Sequence, residues 1–303
     1  MLGRGLSGNG NHQTNPYQAE KNIASSCRQA LDEAGLMQED VHFAYFGLAG
    51  ADRDSDYQIL NPMISRLGFP KYRVACDTMI AMRAGSGRSY GVVVISGTGF
   101  NAAARNKAGE ELQYGGFGYL FGDGQGSGRG LADLAFRTAV RSWDGRGKAS
   151  ILQDMVLAAT GFSSIPQMLD AVLDDSFVPP LELAETMFDA AKRGDRVAIE
   201  ILKDQGKELG NAAAALIKRL NMQNDEFDVV LGGSVLAKST PTVMRDALQT
   251  RLLKTAPKAS VITIKMEPVA GAVLSAMDRG GHVVNQEIVN NLTHISFSER
   301  KGE

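Results

Sequence analysis

Cysteine, tryptophan and an excess of charge of either sign are scarce in this sequence of 303 residues. Its two cysteines, Cys27 and Cys76, lack the CxxC spacing of a zinc or redox site and are too few for a disulfide framework, so we expect a reducing, cytoplasmic compartment. Lysine and arginine number 32 against 34 aspartates and glutamates, which leaves no basic field for a nucleic-acid backbone. We therefore do not expect nucleic acid as a partner. Because no apolar run approaches the roughly 18 residues that cross a bilayer, we do not expect a membrane as a partner either.

Glycine, by contrast, is abundant, with 34 of the 303 residues, well above the usual share of about 7%. The glycines cluster at the ends of apolar, β-branched runs, where the backbone must approach another group closely. Strand-like runs alternate with helix-like segments along most of the chain. This alternation predicts an α/β fold with a mostly parallel sheet, and the length predicts about two domains.

The spacing of the strands predicts two units. Before Ala81 we find two convincing strands, in residues 43–50 and at Tyr72–Cys76, which are fewer than a stable open sheet normally has. About five strands follow in the second unit, which also contains a long helical stretch. We therefore expect a first domain whose beginning is missing, a second domain with a helical insertion, and a tail, at residues 1–88, 89–281 and 282–303.

Two glycine loops lie at strand ends in the second unit. The amides of Gly97, Thr98 and Gly99 follow a β-branched run and could cradle a polyphosphate, although a tight β-turn is an equally common use of such a loop. This loop enters another strand and lacks the Lys-Ser/Thr of a P-loop, which argues against Walker and Rossmann motifs. Gly233 and Ser234 form the second loop, which is either a nucleotide contact or an ordinary βα turn with an N-capping serine. Two such loops at strand ends favour a nucleotide between them.

Four polar side chains are candidates for contacts with a substrate. Asp77 directly follows a strand, so it is either a helix N-cap or a carboxylate aimed into a cleft. Asp123 lies between two glycines and by default forms a turn. Together with Asn11 and Asn101, it would supply the amide and carboxylate groups that hold sugar hydroxyls. The four histidines lack the spacing of a metal site, so we assign no residue to a metal.

Two motifs with a characteristic spacing identify a family. They are Ile-Ser-Gly-Thr-Gly-Phe-Asn at residues 95–101 and Gly-Gly-Phe-Gly-Tyr-Leu-Phe-Gly-Asp at residues 115–123. Weaker support comes from Gly-Leu-Ala-Gly-Ala at residues 47–51 and Val-Ala-Gly-Ala at residues 269–272. In this order they resemble the N-acetylglucosamine kinase branch of the BadF/BadG/BcrA/BcrD ATPase family, within the actin, Hsp70 and sugar-kinase superfamily. The resemblance extends over nearly the whole chain, from residue 8 to about residue 277.

The resemblance implies two ribonuclease-H-like, actin-like ATPase lobes around a central cleft, the first lobe without its leading strands. It implies ATP and Mg²⁺ as cofactors and an amino sugar as substrate, and it leaves a homodimer open. Asp77 would be the general base that accepts the proton of the attacked hydroxyl. The residues implied to hold the sugar are Asn11, Asp77, Asn101, Gly116, Phe117, Gly118 and Asp123. The residues implied to contact ATP are Gly97, Thr98, Gly99, Gly233 and Ser234.

The sequence departs from the family pattern at three places. Family members begin with a strand carrying Asp-Gly-Gly-Gly-Thr, the first phosphate loop, whereas this chain begins with a segment that resembles the residues just after that loop. Since a single preorganised donor can be worth on the order of 10²-fold in rate, we expect the chain as given to bind sugar and to phosphorylate it feebly. Phe117 stands where a tryptophan is usual. Gln125 replaces a glutamate in a loop one residue longer than usual, which leaves the choice between N-acetylglucosamine and glucosamine open.

Phosphorylation of N-acetylglucosamine to its 6-phosphate is the function that the sequence favours. A glucosamine kinase of the same family and a weakly active or non-catalytic sugar or nucleotide binder remain alternatives. An ATPase that activates an iron–sulfur dehydratase would need cluster ligands that two cysteines do not supply. A sugar-responsive repressor would need a helix-turn-helix segment or a basic face, and the sequence contains neither. Assay of ADP release with N-acetylglucosamine separates a kinase from a binder.

Overall fold

The computed structural model describes residues 1–116, 118–238 and 240–297, and the strands within these ranges form two sheets. The strands are β1 (Ala44–Leu48), β2 (Tyr72–Cys76), β3 (Gly91–Ser96), β4 (Phe100–Arg105), β5 (Glu111–Gly115), β6 (Asp228–Gly232) and β7 (Ser260–Thr263). β1 and β2 form a parallel pair, and the other strands form a five-stranded sheet in the order β5-β4-β3-β6-β7. The α/β fold expected from the sequence is confirmed. In the described residues the first sheet has the two strands, and the second sheet the five strands, that the sequence predicts.

The α-helices of the described residues separate and flank these strands. They are α1 (Pro16–Ala34), α2 (Asp54–Ser65), α3 (Asp77–Gly85), α4 (Gly128–Trp143), α5 (Leu152–Thr160), α6 (Ile165–Leu173), α7 (Leu183–Lys192), α8 (Arg196–Arg219), α9 (Ser234–Lys238), α10 (Val243–Leu253), α11 (Pro268–Arg279) and α12 (Gln286–Thr293). α4 to α8 form the long helical stretch expected between the strands of the second sheet.

The central strand β3 is buried on both faces. It pairs with β4 in antiparallel and with β6 in parallel orientation. Val92 and Val94 belong to the large core that includes residues of α4, α7 and α8, whereas Val93 belongs to a second cluster with Met79 and Met82 of α3. A strand covered on both faces is a continuous apolar run, which explains the sequence Gly-Val-Val-Val-Ile. The glycine loop that follows β3 therefore lies at the carboxyl end of this central strand.

Helix α3 begins where β2 ends and is held by close backbone contacts. A β-carbon on Gly271 of α11 would lie 1.9 Å from the carbonyl oxygen of Ile80, so α3 and α11 cross in direct contact. A buried ion pair adds to this crossing, because Arg83 Nε lies 2.7 Å from Asp278 Oδ2. The crossing therefore fixes the position of Asp77, the first residue of α3.

In the part of the chain that the structure describes, no single helix is both long enough and apolar enough to cross a membrane. Taken together, the bent pair α5 and α6 meets that test, by length and composition alone. The segment after residue 281 contains α12, and the backbone nitrogen of Phe297 donates a 2.9 Å hydrogen bond to Glu267 Oε1 at the start of α11. The division at residues 88 and 281 stays a prediction.

Candidate active site

Asp77 lies at the junction of β2 and α3 with its carboxylate half-buried. The N-cap position belongs to Cys76, whose backbone is extended and whose side chain makes no capping hydrogen bond. The N-cap alternative for Asp77 is therefore wrong, because its own backbone is already helical. Asp77 Oδ1 accepts a hydrogen bond from Cys76 Sγ at 3.2 Å.

The same thiol links Asp77 to a second carboxylate, that of Asp52 in the loop after β1. Cys76 Sγ lies 3.5 Å from Asp52 Oδ1, and Gln113 Nε2 of β5 donates to that oxygen at 2.5 Å. Burial, and then the charge of Asp77, raise the pKa of the Cys76 thiol far above its usual range. The thiol therefore stays protonated and serves as a donor between two carboxylates.

Asn101 and Gly116 border the same space as Asp52. Asn101 of β4 pairs with Gly115 of β5, so the next residue, Gly116, lies beside it. Gly116 has φ +84°, and a β-carbon on it would lie 3.7 Å from Asn101 Nδ2 and 3.8 Å from Asp52 Oδ2. Asn101 Oδ1 is buried and has no hydrogen-bond partner among the described residues. This atom fits a donor on a bound molecule, because buried polar atoms are normally paired.

Asn11 is fastened to the loop after β1. Its Oδ1 accepts a hydrogen bond from the backbone nitrogen of Gln13 at 2.9 Å, and Gln13 Nε2 donates to the carbonyl oxygen of Gly50 at 3.1 Å. The neighbouring His12 is buried, and its Nε2 lies 3.2 Å from Asp56 Oδ1 at the start of α2. These contacts place Asn11 beside the segment that carries Asp52.

Two of the remaining residues implied to hold sugar, Gly118 and Asp123, belong to the described residues. Gly118 has φ +90° and open space in front of its α-carbon. Asp123 lines a neighbouring cavity of about 350 Å³ together with Gly115 and Gln125. Phe117 lies outside the described residues.

The loop of Gly97, Thr98 and Gly99 is hydrogen-bonded to the start of α4 on one side and has open space at its glycine α-carbons. Its carbonyls accept hydrogen bonds from the start of α4: Gly128 N donates to Gly97 O at 2.7 Å and Arg129 N to Thr98 O at 3.1 Å. Among the described residues other than the adjacent ones in the chain, no atom lies within 4 Å of a β-carbon placed on Gly97 or Gly99. The bare α-carbons thus leave room for phosphate oxygens.

The second glycine loop touches the first. Gly233 has φ +82°, and its carbonyl oxygen accepts the first helical bond, from Ala237 N at 2.9 Å. Ser234 is already the first residue of α9, so the interpretation of Ser234 as an N-cap is wrong. One cavity of about 420 Å³ is lined by Gly97, Thr98 and Ser234 from the two loops and by residues of α7 such as Phe188. The wall is mixed, with Leu181 and Phe188 beside the carboxylates Glu182, Glu185 and Asp189, so it suits the neutral base and the ribose of a nucleotide, with the glycine loop left for its phosphates.

Sequence reasoning missed Asp52 and Gln113. Both line a cavity of about 880 Å³ whose lining also includes Cys76, Tyr57 and Arg73. Asp52 shares the signal that identified Asp77, since both are carboxylates just beyond a strand end. In the part of the chain that the structure describes, no three His, Cys, Asp or Glu side chains form a group that could hold a metal ion.

The chain matches one protein family along most of its length. Residues 1–276 match the family described as the BadF/BadG/BcrA/BcrD ATPase family. An N-acetylmuramic acid/N-acetylglucosamine kinase from Clostridium acetobutylicum is 31% identical over 251 residues, covering 82% of this chain and 81% of that protein. An N-acetyl-D-glucosamine kinase from Dictyostelium discoideum is 26% identical over 266 residues, covering 85% and 82%.

Solved structures share the fold. A provisionally named N-acetylglucosamine kinase from Chromobacterium violaceum superposes with a TM-score of 0.62 at 24% identity, covering 90% of each chain. A ROK hexokinase from Thermus thermophilus superposes with a TM-score of 0.54 at 17% identity, covering 87% of each chain. At these identities the likeness concerns the fold alone.

Proposed function

The chain belongs to the BadF/BadG/BcrA/BcrD ATPase family, and from this premise we propose that it transfers the terminal phosphoryl group of ATP to the 6-hydroxyl of N-acetylglucosamine. The observation that carries the proposal is the position of Asp77. Its carboxylate lies at the end of β2 and is joined through the Cys76 thiol to Asp52, which borders the same space as Asn101 and Gly116. The cavity proposed for the nucleotide is lined by Gly97 and Thr98 of the loop that ends β3, the central strand of the other sheet.

Phosphoryl transfer to a hydroxyl requires positioning, charge stabilisation and one base. ATP supplies the phosphoryl group when it is bound. Asp77 accepts the proton of the attacking hydroxyl, while Asn101 Oδ1 accepts a hydrogen bond from the sugar and fixes the ring. The amides of residues 97–99 stabilise negative charge on the phosphates.

Magnesium, a cytoplasmic location and a homodimer belong to the proposal as well. We propose that Mg²⁺ arrives on the nucleotide phosphates, as kinases commonly use it, and that residues 1–88 and 89–281 form the two lobes around the cleft. Asn11, Gly118 and Asp123 are assigned to the sugar, and Gly233 and Ser234 to the nucleotide. Analytical sedimentation of the purified chain measures its oligomeric state and so tests the homodimer.

The test is release of ADP by the purified full chain in the presence of ATP, Mg²⁺ and N-acetylglucosamine. We expect ADP release that depends on the sugar, and a product whose mass is that of the sugar monophosphate. Digestion with a phosphatase should return the sugar. ADP release at the same rate without sugar would contradict the proposal and indicate an ATPase of another kind.

A further inference from the structure

The carboxylate of Asp52 has one oxygen fixed by the protein and one facing open space. Oδ1 accepts hydrogen bonds from Gln113 Nε2 at 2.5 Å and from Cys76 Sγ at 3.5 Å. Oδ2 accepts none from the residues that the structure describes, and it faces the bare α-carbon of Gly116. Asp52 is half-buried and lines the 880 Å³ cavity, and its Oδ2 is available to a molecule bound beside Gly116.

A second atom points to a ligand at the same place. Asn101 Oδ1 is buried without a partner among the described residues, and the amide nitrogen of Asn101 faces the same glycine as Asp52 Oδ2. An unpaired buried acceptor costs free energy unless a donor fills the space before it. The amide nitrogen of Asn101 and the carboxylate oxygen of Asp52 thus offer a donor and an acceptor beside Gly116, which matches a molecule with several hydroxyl groups.

We propose that Asp52 is a second carboxylate of the sugar site, and that its Oδ2 accepts a hydrogen bond from a hydroxyl of the bound amino sugar. Gln113 is a positioning residue, because it holds Oδ1 and thereby aims Oδ2. A hydrogen bond to an ionised acceptor is about twice as strong as a neutral one, so the contact contributes substantially to sugar affinity. The inference rests on the proposed function and names a contact within that same site.

The charge of Asp52 also bears on the class of sugar. Asp52 and Asp77, joined through the Cys76 thiol, place two negative charges beside the proposed sugar position, and Asp54 and Glu111 line the 880 Å³ cavity together with Asp52. Arg73, a cation of this lining, is 3.5 Å from Glu111. Like charges within a few ångströms repel strongly when partly shielded from water. The site therefore selects neutral N-acetylglucosamine over N-acetylmuramic acid, which carries a carboxylate on its lactyl group.

The experiment is isothermal titration of the purified full chain with each of these two sugars. Asp52→Asn should weaken the affinity for N-acetylglucosamine roughly 10- to 100-fold, the range expected for one lost charged hydrogen bond. Asp52→Asn should also reduce the ratio by which the affinity for N-acetylglucosamine exceeds the affinity for N-acetylmuramic acid. Asp32→Asn, an exposed aspartate of α1, is the matched control and should leave both affinities unchanged.

Gln113→Leu tests the positioning role in the kinase assay and covers the case in which Asp52→Asn does not fold. We expect it to raise KM for N-acetylglucosamine severalfold while kcat stays within about twofold, a split that a general loss of folding would not produce. An unchanged KM in folded Gln113→Leu, or equal affinities of wild type and Asp52→Asn, would overturn the role of Asp52 and leave the proposed kinase function intact. If the wild-type chain binds neither sugar, both proposals are wrong.

Discussion

Gly233 lies against the carbonyl oxygen of Ser96 so closely that a β-carbon on Gly233 would be only 2.2 Å from that oxygen. The contact joins the end of β6 to the end of β3 and brings the two glycine loops to one cavity. Both the distance and the φ of +82° exclude a side chain at this position.

Gly233→Ala should therefore destabilise the protein, whereas Gly99→Ala should not. We expect the free energy of unfolding of Gly233→Ala to fall by at least about 2 kcal/mol, and its melting temperature by at least roughly 4 °C. Gly99 has open space before it, so Gly99→Ala should keep its melting temperature and lose roughly tenfold in ATP affinity by obstructing the phosphates. Thermal denaturation and nucleotide titration of both variants check this; normal stability of Gly233→Ala would contradict the packing of the loops.

Asp56 should give the fold a dependence on acid pH. It is buried, and hydrogen bonds from Arg53 first, with His12 and Gln13 also contributing, hold the pKa of its carboxyl far below its usual range. Because the folded pKa is lower than the unfolded value of about 3.9, the stabilisation is complete above that pH and is lost as the pH falls below it.

Asp56→Asn should accordingly lower the free energy of unfolding by about 1–3 kcal/mol at pH 7, with a gap to wild type that starts to shrink as the pH falls below about 4 and keeps shrinking at lower pH. The exposed Asp32→Asn should stay within about 0.5 kcal/mol of wild type. Urea denaturation at several pH values measures all three chains. A gap that is constant with pH would show that the ionisation of Asp56 does not stabilise the fold.

The sugar preference is a separate prediction. We expect N-acetylglucosamine to exceed glucosamine and glucose in kcat/KM by at least about tenfold, because a site built for an amide leaves polar groups unpaired when the acetamide is absent. Parallel ADP-release assays at saturating ATP make the comparison. A preference for glucosamine would instead make the replacement at Gln125 a determinant of specificity.

Local patterns predicted much of the fold. The strand at Tyr72–Cys76 begins and ends where the sequence indicated, since it depends on its own run of residues and on adjacent turns. The glycine loops were visible for the same reason. That the loops of Gly97–Gly99 and Gly233 meet in one cavity depends on the parallel pairing of β3 with β6, which are far apart in the chain.

Asp52 could not be predicted in the same way. Leu48 pairs with Cys76 in the β1–β2 register, so the residues after both strands emerge at the same level and bring Asp52 to Asp77. Gln113 joins them from a hairpin of the other sheet. Side chains that meet from three separate strands leave no periodic pattern in the sequence that could reveal the contact. Whether Asp77 is an N-cap or a cleft carboxylate depends on the residue at which α3 begins, which the sequence alone does not fix.

The most direct test of the account is turnover of Asp77→Asn measured beside its affinity for N-acetylglucosamine. The amide keeps the shape of the carboxylate and loses the base, so kcat should fall by at least about 10²-fold relative to the wild-type chain, while Kd for the sugar stays within about threefold. Retention of most of the wild-type kcat, in a variant that binds the sugar normally, would contradict the assignment of Asp77 as the group that accepts the proton.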